Sequence, residues 1–368
     1  MRTLQRLNQI ATTKIPAGPL PHWSGSKTTV SRARPSILAL LLLVSACGGG
    51  ADGAADPSVA DTASSSDVPA ITDVASNESV PQPTPATDVP ASIARIDVGG
   101  DPHRLSLADG AVWVANTSDG TVSRIDQATN QVVATIEVGA MPASIAVDET
   151  AVWVANNRGR SVSQIDPNTN AVVATFEVGE GPRSVISAAG SIWVSVGREN
   201  AVKRIDPATG QILVTIPDVP DPAQLSAGTD AIWVTSRSGD VVSRISPTTD
   251  TIVASVDVGY PTIGLAATDQ AVWVAAADGP GVTLIDPSTN TVTEKLEVGD
   301  NSWALATDST GVWLSSSGAD TVSKITAGTN EVTETLDVGP RPIGLAVEAD
   351  DMWVAHEGDD TVWRINID

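Results

Sequence analysis

From residue 92 onward the chain alternates short apolar runs with polar breaks. The stretch Gly139 to Val178 sets the pattern with four runs: Ser144–Val147, Ala151–Ala155, Ser161–Ile165 and Ala171–Phe176. Valine, isoleucine, threonine and tryptophan dominate, as a pleated, packed surface requires. No run carries a 3.6-residue helical period, so each predicts a strand. The breaks have their own mechanism. Asp166-Pro167-Asn168-Thr169-Asn170 returns as Asp206-Pro207-Ala208-Thr209-Gly210 and Asp286-Pro287-Ser288-Thr289-Asn290. Proline presets the first corner, Asp and Thr bond nearby backbone, and Asn or Gly accepts a left-handed closing residue. These segments predict tight hairpins between third and fourth strands. The Val-Gly-x-x-Pro segments, such as Val138 to Pro142, end one sheet and begin the next.

The same four-strand unit recurs every 40 residues, marked by Trp113, Trp153, Trp193, Trp233, Trp273, Trp313 and Trp353. A period of this size means a repeat architecture. Four antiparallel strands taken seven times predict an all-β, seven-bladed β-propeller over residues 92–368. The chain ends support a closed ring. The last unit stops at its third strand, Thr361 to Asp368, while Ser92 to Val98 has the pattern of a fourth strand. The N-terminal strand 92–98 is therefore expected to complete the last blade and protect the sheet edges. Seven equivalent tryptophans suit a wedge between blades better than a ligand site, which needs asymmetry. Small residues at Ser106, Ala146, Ser226, Ala266, Ala306 and Ala346 keep the innermost strands slim, with Ile186 as the exception.

Residues 1–46 contain six Lys or Arg and no Asp or Glu. The apolar run Ile37–Val44 is too short to span a bilayer and follows Arg32 and Arg34, which predicts a secretory signal. It ends at Val44-Ser45-Ala46-Cys47 before three glycines, a sequence that resembles the bacterial lipobox. Cys47 is the expected lipidation site, and acylation would anchor the protein to a membrane without spanning it. It is also the only cysteine, so no internal disulfide forms. The charged region lies far from Met1, which points to a translation start near Val30. Residues 48–91 are Ala, Ser, Thr, Pro, Asp and Gly with hardly any large apolar side chain, and cannot fold alone. They read as a tether reaching about 35–40 Å. The expected location is the bacterial cell envelope, outside the cytoplasm.

The chain has 21 basic and 44 acidic residues. Without the six basic residues before Cys47 the balance is 15 against 44, or −29. Such a surface excludes nucleic acid and anionic lipid headgroups as partners. No Asp-x-Asp-x-Asp-Gly loop, nucleophile motif, Gly-rich phosphate loop or zinc-ligand spacing occurs, so neither metal nor cofactor is expected. Function should instead sit where the copies differ. The loops joining blades and those joining second and third strands should share one face of the ring, the face on which loop changes leave the sheets intact. Departures from consensus in the first set are His103, Arg104, Arg183, Tyr260, Trp303 and Arg341. The second set gives Arg158, Arg160, Arg198, Glu199, Arg237, His356 and Glu357. Seven of the 15 basic residues after Cys47 belong to these two sets, all arginine. Arginines around a tunnel mouth suit carboxylates, phosphates or acidic glycans. His103 and His356, with Glu357, are candidates for a general acid/base pair.

The repeats resemble the YVTN-type β-propeller family: WVAN at 113–116, TVSRIDQATN at 121–130 and VVATIEVG at 132–139. This resemblance covers residues 92–368. It implies an extracytoplasmic seven-bladed propeller in a binding or scaffold role, with no fixed reaction. The tryptophan spacing is distantly similar to the virginiamycin B lyase group. That similarity implies a streptogramin bound at the ring mouth and acid/base and magnesium-binding residues, with a glutamate three positions after the tryptophan. Here those positions hold Asn116, Asn156, Val196, Ser236, Ala276, Ser316 and His356. Three functions stay open: a monomeric module binding an anionic small molecule, envelope glycan or protein; a lyase-like enzyme with its site at the mouth; and a structural scaffold of the envelope.

Overall fold

The computed structural model describes residues 93–279 and 281–367. The signal peptide, the start near residue 30, Cys47 and the tether at 48–91 lie outside the described residues. Within them, 28 strands form seven four-stranded antiparallel sheets, and the one helical turn is a 3-10 turn at Gly197–Glu199. No described helix is long and apolar enough to cross a membrane. In blade one the order from inside out is Pro102–Ala108, Ala111–Asn116, Thr121–Asp126 and Gln131–Glu137. The hairpins between third and fourth strands are as the sequence predicts. Asp166 accepts from the Asn168 backbone and the Thr169 hydroxyl at 2.9 Å, and Asn170 closes the turn at φ 56°.

The ring closes through its ends. Ile93–Asp97 pairs antiparallel with Thr361–Asn366, and with Asp351–His356 and Pro342–Glu348 it makes blade seven. The Val98 N–H reaches the Asp360 carbonyl at 2.9 Å and continues the ladder beyond the strand. No blade is left with an unpaired third strand.

The seven repeated tryptophans are buried, none more than 2% exposed. Trp153 packs on Val185, Ile192 and Val194 of the next blade, so it is the wedge between two sheets rather than a ligand cage. Large apolar burial of this kind dominates the stability of such a core. In five blades a basic side chain of the third strand lies over the indole. Arg124 sits 5.0 Å from the Trp113 ring, and Arg244 sits 5.4 Å from that of Trp233. Four of these arginines also grip the next blade: the Arg244 guanidinium donates to the Pro287 carbonyl at 2.7 Å and to Asn290 Oδ1 at 2.9 Å. Arg364 does the same from blade seven to blade one, bonding Gln127 O and Asn130 Oδ1, and so joins the ring where the chain does not.

Ile96 is 6% exposed and belongs to the core between blades seven and one. Ile96→Ala should therefore cost about 2–4 kcal/mol in urea unfolding. A loss below about 0.5 kcal/mol, the range of an exposed site, would mean that the first strand is not docked in solution.

Candidate functional site

Each inner strand starts at one face of the ring, where the loop from the preceding blade arrives. The loop between second and third strands returns to that same face. The two sets are stitched by a repeated bond. The backbone N–H of Thr117, Asn157, Gly197, Arg237, Ala277, Ser317 and Glu357 donates to the carbonyl of Asp101, Met141, Gly181, Asp221, Pro261, Asn301 and Arg341, at 2.8–3.2 Å. This fixes the first residue of every second-to-third-strand loop against its neighbouring blade-joining loop.

Inside that rim lies a cavity of about 530 Å³. One pleat down each inner strand from the rim comes an aliphatic position: Leu105, Ile145, Val185, Leu225, Leu265, Leu305 and Leu345, all buried. Six of the seven line the cavity, Leu265 being the exception. Above them the lining is cationic, with Arg104, Arg183, Arg198 and Arg237, joined by His103, Trp303 and Glu357. The comparison of repeats had singled out all seven.

The other candidates lie elsewhere. Arg158 is exposed, and Arg160 makes an exposed ion pair with Glu180 at 2.9 Å. Arg341 is exposed, does not line the cavity, and is paired with Glu357. Tyr260 is bonded to Thr283 beneath Lys295, whose Nζ lies 5.1 Å from the ring centre; burial raises its hydroxyl pKa. His356 is fully buried in the sheet, 4.5 Å from Trp363, with Nε2 donating to the Val338 carbonyl at 2.8 Å. It does not join His103 at the cavity. Its position ends the second strand, where the equivalent Asn116 and Asn156 are also buried and donate to strand-three hydroxyls such as Ser123 and Ser163. The position that departs from the lyase pattern is thus an internal packing site in this chain.

The charges at the mouth are unevenly compensated. Arg183 is neutralised by Asp221 at 2.6 Å. Arg104 Nη2 donates to Gln224 Oε1 at 3.0 Å, and Gln224 turns that oxygen toward it because its own amide nitrogen donates to the Leu265 carbonyl at 3.3 Å. The bond crosses the ring from blade one to blade four. Among the described residues Arg104, Arg198 and Arg237 have no carboxylate partner. Burial alone pulls the Arg104 guanidinium down to about 10. A half-buried charge held only by a neutral amide is better satisfied when an anion joins it. Comparison of repeats could also have found Gln224. It stands where other inner strands carry Ser144, Ser184, Gly264, Ala304 or Gly344.

His103 is a neutral imidazole. Its Nδ1 lies 3.1 Å from the Ala143 carbonyl, which requires a proton on that nitrogen, and its ring stands edge-on to Trp303 at 5.8 Å. Burial, then the positive charges of Arg104 and Arg237, push its pKa down to about 3 against the bond to Ala143. The set of groups does not suit a divalent cation. Glu357, the carboxylate among the lining residues, is held by Arg341, the imidazole sits beside guanidinium groups, and no group of three or more His, Cys, Asp or Glu side chains among the described residues is placed to hold a metal ion. Magnesium therefore does not fit here, on charge as well as on ligand number.

The sequence matches the model of the virginiamycin B lyase family over residues 95–365. Among solved structures, one described as a streptogramin B lyase superposes with a TM-score of 0.65 at 17% identity, covering 75% of this chain and 98% of that one. The hydrazine synthase of Kuenenia stuttgartiensis superposes with a TM-score of 0.64 at 15% identity, covering 76% of this chain and 99% of that one. At these identities the likeness is one of fold. No curated protein matches the sequence.

Burial lowers the pKa of both His103 and His356. Below about pH 6.5 the unfolded histidines take up protons that the folded rings refuse. The stability fully present above that pH is then lost as the pH falls toward 5, while the carboxylates are still ionised. Urea unfolding at about pH 7 and about pH 5 should show this fall, and His103→Gln should reduce it. An unchanged pH profile in the variant would contradict a buried neutral ring.

Proposed function

The chain belongs to the virginiamycin B lyase family, and on that premise we propose that it is a binding protein whose ring mouth takes an amphipathic anion. The single observation behind this reading is the half-buried Arg104 guanidinium, bonded to Gln224 and lacking a carboxylate. A carboxylate or phosphate placed between Arg104 and Arg237 would receive charge-assisted hydrogen bonds. The apolar body of the ligand would lie against the aliphatic ring beneath, beside the Trp303 edge. A cavity of about 530 Å³ is of the size that holds one small molecule. In this reading the lipid on Cys47 and the tether at 48–91 hold the propeller outside the cytoplasm, where such a ligand is met.

Lyase chemistry is the second reading, favoured by the family and by the free Nε2 lone pair of His103. An imidazole whose pKa is near 3 is a poor proton acceptor at neutral pH, since a general base works best with a pKa near the working pH. Binding is therefore the reading this mouth supports better.

Calorimetry with octanoate and octyl phosphate should detect saturable binding, and Arg104→Gln should weaken it at least about tenfold, the loss of one charge-assisted bond. Equal affinity in wild type and Arg104→Gln would overturn the anion site. Linearisation of a streptogramin B lactone, abolished by His103→Gln, would replace the binding reading with the enzymatic one.

A further inference from the structure

The clamp that joins neighbouring blades on the opposite face is missing its cation at one junction. Arg124, Arg204, Arg244 and Arg364 each lie over a tryptophan and donate to the next blade's hairpin, to a carbonyl and to the Asn or Asp three residues later. Lys324 faces blade seven, which has no such hairpin because the chain breaks there. Blade two has Gln164 instead, and its gap is filled: Phe176 stacks on Trp153 at 6.3 Å and covers Gly210 of the next hairpin. In blade five Leu284 stands opposite Trp273, in the register that Arg124 holds against Trp113.

There the space is left open. A cavity of about 570 Å³ lies at this junction, lined by Trp273 and Leu284 on one side and by Ala327 and Asn330 of the next hairpin on the other. Ala327 and Asn330 occupy the positions of Pro167 and Asn170, the carbonyl and amide oxygens that receive Arg124. Asn330 keeps the left-handed φ of 56° that orients it in the other hairpins, and its Nδ2 is engaged by Glu294. Asp269, Asp286 and Asp308 also line the cavity. Hydrogen bonds from Ser288 hold the Asp286 carboxyl below its usual range, and those from Thr310, Trp313 and Lys324 do the same for Asp308 against burial. Lys324 pairs with Asp308 at 3.1 Å, so the acceptors of the clamp and the carboxylates of Asp269 and Asp286 are what remain where Leu284 stands in place of the arginine.

We propose that the junction of blades five and six is a binding site for a guanidinium group supplied in trans, the side chain of an arginine in another polypeptide. The ligand reproduces the polar half of what four arginines of this chain do: its apolar stem lies against the wall that Leu284 and Trp273 form, and its guanidinium donates in the plane to Ala327 O and Asn330 Oδ1. A chain arginine suits the site better than the free amino acid, whose α-carboxylate would face the aspartates. This site is separate from the ring mouth and does not depend on the function assigned there.

NMR of the Trp273 indole and the Asn330 side-chain amide, titrated with N-acetylarginine amide, tests it. Saturable shifts are expected for that probe, shifts at least about fivefold weaker in affinity for free arginine, and none for N-acetylcitrulline amide, which has the same shape without the charge. Leu284→Arg should fill the socket from within and remove the binding while raising the melting temperature. Asn330→Ala should weaken the binding without touching the mouth. No saturable shift, equal binding of the citrulline compound, or binding unchanged by Leu284→Arg would overturn the site. Tighter binding of free arginine would overturn its assignment to a polypeptide.

Discussion

The pairing of Ile93–Asp97 with Thr361–Asn366 is the contact on which the whole ring depends. Six blades are continuous hairpin sheets, but the seventh exists only because the two ends of the domain meet in one sheet. Closure removes the exposed sheet edge at the seam, and it brings the inner strands of blades seven and one together around the tunnel. Gly344 shows how close that approach is: a Cβ there would collide with the His103 carbonyl oxygen. His103 and Arg104 open the blade at this seam, so closure sets these two against the groups that the other blades bring to the mouth.

Seven near-identical blades give a rigid frame, and the frame separates two kinds of departure from the repeat. Departures at the mouth add charge: among the described residues Arg104, Arg198 and Arg237 stand without carboxylates, in a protein of strongly acidic composition. The departure at the junction of blades five and six removes charge, and the acceptors built to receive it remain. Both follow from one rule. Where a scaffold repeats, a change in one copy is either compensated nearby, as Phe176 compensates for Gln164, or leaves an uncompensated group that a ligand can satisfy.

Most of the fold was legible in the sequence because its cause is local. The 40-residue tryptophan spacing, the Asp-Pro-x-Thr-Asn turns and the unpaired strand at each end define blades, hairpins and closure without long-range information. The site was legible in part. Internal comparison found His103, Arg104, Arg183, Arg198, Arg237, Trp303 and Glu357, but it could not say which way a loop residue faces. The repeated N–H bond to the blade-joining loop decides that: it sets Arg237 and Glu357 at the rim, while Arg160, further along an equivalent loop, turns outward to Glu180. One residue earlier the chain is still in the strand, so His356 is buried beside Trp363 although it adjoins Glu357. The role of the third-strand arginines stayed hidden for a similar reason, since their partners lie more than 40 residues away in the next blade.

Among the described residues three arginines of the mouth have no carboxylate partner, and the proposed function has an anion complete them. The most direct measurement is anomalous diffraction from a crystal of the protein soaked in bromide. An ordered bromide is expected between Arg104 and Arg237, and it should be lost in Arg104→Gln. Bromide found only on the outer surface, with none at the mouth, would contradict it.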